Sequence, residues 1–131
     1  MRRMLVGAVM VLSLFTVAGT ASNGVGPSSR RWAIVNFPDP VMLHRNLLMG
    51  MYLIVHDDER MARGEPCTSI YRFDPERGPK AVEVEFMCKP HQRAVCDRTT
   101  LSVRRNAATG FNEVTEYQFA GDSEVHGVPA R

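Results

Sequence analysis

From Trp32 onward, hydrophobic and polar residues fall into short runs separated by turn formers, with no long stretch of helical period. Trp32–Phe37 (WAIVNF) reads as a first strand, closed by Pro38-Asp39-Pro40, where two prolines argue against a helix and against a central strand. His44-Arg45-Asn46 suits a turn, and Met51–His56 (MYLIVH) is a continuous apolar run fitting a strand buried on both faces. Asp57–Gly64 (DDERMARG) reads as a loop, because Gly64 and Pro66 stop any helical turn. Cys67–Phe73 and Ala81–Cys88 flank a turn segment. In the second of these runs Val82, Val84, Phe86 and Cys88 share one face while Glu83 and Glu85 take the other. Thr99–Arg105 repeats the alternation with Leu101 and Val103, and Glu113–Ala120 with Thr115, Tyr117 and Phe119. Ser123–Val128 adds a short last strand. The pattern predicts an all-β fold, a small antiparallel β-sandwich or barrel of about six to eight strands.

Ahead of these runs stands a different segment. Met1-Arg2-Arg3 is a basic start, Met4–Val17 is apolar and uncharged, and Ala18–Ala21 is rich in small residues. That order is a secretory signal peptide, expected as an N-terminal signal helix cut after Ala21. The organisation that follows is a signal peptide over 1–21, a flexible Gly/Ser/Pro tether over 22–31 and a single β-rich domain over 32–131. The protein is thus expected to be secreted or periplasmic, with no stable membrane span after cleavage; an uncleaved anchor is the alternative. With 131 residues, 44% of them hydrophobic and 23% charged, the chain is sized for one folded domain. Arg2 and Arg3 account for the whole excess of 16 basic over 14 acidic residues, so the mature domain is near neutral. It lacks the electrostatic footprint of a nucleic-acid binder.

Three cysteines remain after export: Cys67, Cys88 and Cys96. If Phe73 lies opposite Val82, then Tyr71 faces Val84, Ser69 faces Phe86 and Cys67 faces Cys88. An oxidising compartment would permit a disulfide between those two. Cys96 is then left as a free thiol or as a competitor for Cys88. A second reading is metal: Cys88-Lys-Pro-His91 followed by Cys96 has C-x2-H-x4-C spacing, and Cys67 could complete a Cys3His zinc set. Zinc is the only cofactor the sequence suggests, and only on this reading.

His56-Asp57-Asp58-Glu59 places acidic groups at the rim of a buried strand, with His56 and Asp58 on one face. Such a rim can bind a divalent cation, or it can be a strand end passing into a solvated loop. His126 approaches His56 only if the last strand returns beside the third. Gly121-Asp122-Ser123 reads as a turn rather than a hydrolase signature, and neither a Gly-rich phosphate loop nor an H-E-x-x-H pattern occurs. No catalytic set assembles, so a non-enzymatic role is favoured. The expected function is an exported β-domain that binds an unidentified ligand or protein, or serves the envelope structurally. The alternative is a metal-binding protein using Cys67, Cys88, His91 and Cys96, or the His56–Asp58 rim with His126.

Val35–Val55 also resembles the opening of small secreted bacterial β-domain proteins of uncharacterised families, which carry an L-P-A-G-x-Y motif. In Leu47-Leu48-Met49-Gly50-Met51-Tyr52 the Gly and Tyr match, and Leu48-Met49 replace Pro-Ala. The resemblance covers about a sixth of the chain and implies an exported β-rich module without an assigned activity.

Overall fold

A computed structural model describes residues 30–130, together with the backbone of Asn23–Val25. The expected signal peptide lies outside the described residues. The protein is all-β, as its periodicity predicts. Its strands are β1 (Asn23–Val25), β2 (Arg30–Leu43), β3 (Asn46–Asp57), β4 (Thr68–Asp74), β5 (Gly78–Phe86), β6 (Lys89–Gln92), β7 (Thr100–Arg105), β8 (Asn112–Gln118) and β9 (Glu124–Gly127). One short helix, α1 (Asp58–Ala62), interrupts them. The strands join in a single sheet of order β5-β4-β3-β2-β8-β9-β6, with β1 added to β2 and β7 to β8. Most neighbours are antiparallel; β2 and β8 meet in parallel at Val41–Asn112 and Met42–Glu113.

β5 and β6 stand at opposite ends of this order, yet only Met87 and Cys88 separate them in the chain. Three Cα steps from Phe86 to Lys89 reach at most about 11 Å. A flat seven-strand path would hold its ends roughly 29 Å apart. The sheet therefore curls until its ends nearly meet, without pairing to close a barrel. The inner faces of β3–β4 and β8–β9 are pressed together, and Thr68 of β4 hydrogen-bonds Tyr117 of β8 through their hydroxyls. The enclosed core contains Ala33, Phe37, Leu48, Tyr52, Ile54, Ile70, Val84, Phe86, Val114 and Phe119.

Several local expectations change. Pro38 and Pro40 do not end the first strand: they sit in a bulge between the pairs Phe37–Gly50 and Val41–Leu48, so β2 continues to Leu43. A bulge is where a strand can lose amide donors without breaking its ladder. Strand pairing also begins earlier than Trp32, with β1 against Arg31–Ala33. The turn after β2 is the two-residue loop His44-Arg45, both residues with positive φ (45° and 83°), as a tight hairpin requires. The supposed loop after His56 contains α1. Asp57 Oδ1 accepts from the amides of Glu59 and Arg60, Asp58 and Glu59 fill the first turn, and Gly64 at φ 74° follows.

The β4–β5 register also differs from expectation. Ile70, not Tyr71, lies opposite Val84, and Thr68, not Ser69, lies opposite Phe86, because irregularities on either side of Tyr71 shift the ladder. In β8, Thr115 is the extra residue of a bulge, which puts Val114 and Tyr117 inward; Val103 of β7 stays exposed.

Asp57→Ala removes the cap of α1 and should lower stability by about 1 kcal/mol, with Asp57→Asn retaining most of it. Urea unfolding midpoints of the two variants against the parent protein check this.

Candidate metal centre

β3 places alternate residues Tyr52, Ile54 and His56 on the inner face. Across the ladder His56 lies between Arg31 and Thr68. From the other side of the curled sheet comes β9, where His126 lies opposite Tyr117 on one flank and Pro90 on the other. β9 does not pair with β3. The two imidazoles meet across the interior with their rings tilted by 37° and centroids 4.1 Å apart, and both side chains are 0% exposed. The requirement that the last strand return beside the third is replaced by contact through the folded-over sheet. Tyr117 stacks on the His126 ring at 4.8 Å, and Phe119 meets it edge-on.

Cys88 completes the cluster from the link between β5 and β6. Its sulfur lies 3.6 Å from His126 Nδ1, and donor atoms of His56, Cys88 and His126 lie within 4.8 Å of one another. Cys67 joins from the other side, its sulfur 2.9 Å from that of Cys88 and 3.2 Å from the Cys88 amide. Both are buried free thiols. They were expected as a directly opposed pair within the β4–β5 ladder. Instead that ladder ends at Thr68–Phe86, and the cysteines meet beyond it, where the chain leaves β5 for β6.

His91 and Cys96 do not belong to this cluster, so the Cys3His set is not assembled. His91 follows Pro90 on β6 and therefore points to the opposite face from His126; it is exposed beside Glu116, at 3.4 Å. The Cys96 sulfur donates to the Phe119 carbonyl at 3.4 Å. Asp58 does stay with His56, its carboxylate 3.2 Å from Nδ1. Together with Glu124 it forms a second grouping around that ring. Asp122 lies 3.8 Å from His126 Nε2, Glu124 lies 3.6 Å from Nδ1, and Arg31 binds Asp122 and lies 3.9 Å from Asp58. Sequence reasoning missed Arg31, Asp122 and Glu124. The spacing Glu124-x-His126 was the available signal, since a period of two puts both donors on one face of β9, with Asp122 in the turn that precedes it.

These contacts leave donors unused. Both ring nitrogens of His56 and Nε2 of His126 are buried without a hydrogen-bond partner among the described residues; the nearby carboxylates do not reach hydrogen-bonding geometry. Such nitrogens cost about 1–3 kcal/mol each. Burial holds both imidazoles below their ordinary range, and for His126, with neighbouring His56 and Arg31 opposing its charge, the value falls to about 3. Both rings are therefore neutral near pH 7. Burial, reinforced by Cys67, pushes the Cys88 thiol up, and burial beside Asp58 and Asp122 raises the Glu124 carboxyl. Neutral imidazoles and cysteine sulfurs in a tight group are the donors of a borderline-soft transition metal; a bound cation would displace the thiol proton.

No protein-family model matches the chain, and no significant match is found among curated proteins or solved structures.

The metal-free, reduced protein should lose stability as pH falls from 7.5 to 5. Unfolding frees His126 to bind a proton near pH 6.5, whereas the folded ring stays neutral down to about 3. That difference costs on the order of 2 kcal/mol at pH 5. His56 adds a loss of the same sign. Glu124 offsets part of it by taking up its proton in the folded state first, while Asp58, Asp122 and Arg31 complete the charges around the pair. Urea midpoints at the two pH values check this, and His126→Gln should flatten the dependence.

Proposed function

We propose that the protein is an exported β-domain that holds a borderline-soft transition-metal ion, zinc in the first instance, between His56, His126 and Cys88, with Cys67 as the adjoining sulfur. The observation that carries this reading is the interior cluster of His56, Cys88 and His126, whose donor atoms lie within 4.8 Å of one another, with three imidazole nitrogens of the pair buried and without a hydrogen-bond partner among the described residues. A hydrophobic core would gain by replacing such groups, whereas coordination would satisfy them. Donor atoms around one zinc ion at bond lengths of about 2.0–2.3 Å lie roughly 3.3–3.8 Å apart. Small side-chain adjustments would bring the observed 4.8 Å spread into that range.

Export is supported by the basic-apolar-small order of residues 1–21. Under oxidising conditions the approach of Cys67 and Cys88 supports a disulfide between them. It would close a loop of about twenty residues, worth on the order of 3 kcal/mol.

The test is zinc binding by the full chain, reduced without oxygen, stripped by chelator and titrated with Zn²⁺. The expected result is one tight ion per chain. His56→Gln and His126→Gln should weaken it by more than the 10–100-fold typical for loss of an outer-shell partner, roughly. His91→Gln should leave binding unchanged. Circular dichroism separates loss of the site from loss of the fold. A reduced, folded parent protein that takes up no Zn²⁺ would overturn the proposal.

A further inference from the structure

We propose that the Cys67–Cys88 pair makes the metal centre redox-gated: the dithiol form retains the ion, and disulfide formation expels it. The inference rests on the metal reading above and adds its regulation. The two sulfurs lie 2.9 Å apart. That separation falls between about 2.05 Å for a disulfide and the roughly 3.8 Å of two sulfurs sharing one tetrahedral ion. Cys88 stands between its two partners, Cys67 on one side and His126 on the other. A sulfur joined to Cys67 is no longer a thiolate, so only His56 and His126 would remain as buried donors. Two imidazoles alone form a far weaker zinc site.

The structure also provides an approach for the oxidant. Cys67 lines an open groove on the outer side of the β3–β4 face, together with Tyr71. Arg30, Arg60 and Lys80 border the same groove, with Asp57 paired to Arg30 and Glu65 and Glu85 beside Arg60. The oxidant is a small external disulfide such as oxidised glutathione. A brief local opening exposes the Cys67 sulfur, which is buried at rest. Cys67 loses its proton and attacks one sulfur of the external disulfide; that S–S bond breaks, and one glutathione thiolate leaves. Cys88, released from the metal, then attacks the Cys67 sulfur of the mixed disulfide, and the second glutathione thiolate leaves. Cys67 and Cys88 are oxidised by two electrons, and the external disulfide is reduced to two thiols. Those thiols take up any protons the cysteines gave up, and the metal ion departs.

The full chain, reduced and loaded with Zn²⁺, is exposed to oxidised glutathione. Release is followed with a chromophoric zinc chelator, thiols by titration and the crosslink by peptide mass mapping. The expected result is one zinc freed for each Cys67–Cys88 bond formed, with the Cys96 thiol retained. Cys67→Ser, which removes one sulfur of the crosslink, should release whatever zinc it binds at least about tenfold more slowly. If that variant fails to fold, the mapped stoichiometry of the parent protein decides. A crosslinked protein that keeps its zinc, or zinc release with both thiols intact, overturns the gate alone. Failure of the reduced protein to take up Zn²⁺ overturns the metal reading and the gate together.

Discussion

The passage of the chain from β5 to β6 controls the architecture. Two residues, Met87 and Cys88, carry the backbone from the β5 edge of the sheet to the β6 edge. A link that short draws the ends of the sheet together, so the inner faces pack against each other and no second sheet is needed. The link also leaves a seam where neither β5 nor β6 pairs with the other. Cys88 lies buried in that seam, and the groups around it come from strands remote in pairing order: His56 from β3, His126 from β9 and Cys67 from the entry to β4.

This end of the core differs from the rest. Around Phe37, Tyr52, Ile54 and Phe86 the interior is apolar and its stability comes from burial. At the seam the enclosed groups are two imidazoles, two thiols and the Thr68–Tyr117 hydroxyl pair. Partly satisfied polar clusters are expensive in a low-dielectric interior. The exposed-to-buried gradient adds a chemical order. Arg31, Asp58, Asp122 and Glu124 form a partly exposed charged rim, and the fully buried imidazoles lie beneath it beside the two buried thiols. Zinc entering from the rim would meet oxygen ligands first and exchange them for nitrogen and sulfur, which it prefers.

Fold class was legible because period-two patterning survives wherever one strand face is buried, as at Val84, Phe86 and Cys88. The pattern failed where bulges broke the period. Around Tyr71 and Thr115 the ladders shift, and the prolines after Phe37 were absorbed in a bulge instead of ending the strand. The helix cap at Asp57 was present in the residues, but Gly64 and Pro66 concealed it because the helix is only five residues long. The candidate site was half legible. His56, Asp58, Cys67, Cys88 and His126 were singled out, but the spacing of Cys88, His91 and Cys96 suggested the wrong grouping. Strand alternation turns His91 outward, because His126 already takes the inward side opposite Pro90.

By itself the sequence determined the alternation that makes strands, the turn residues that end them, and the supply of sulfur and imidazole donors. These are local properties, set by side-chain shape and by which face of each strand is apolar. The company each donor keeps was decided only in three dimensions. Cys88 and His126 are 38 residues apart in the chain, and nothing in their local spacing specifies how far a sheet curls. That curvature follows from a two-residue link spanning the ends of a long strand path, a constraint that exists only once the pairing order is known.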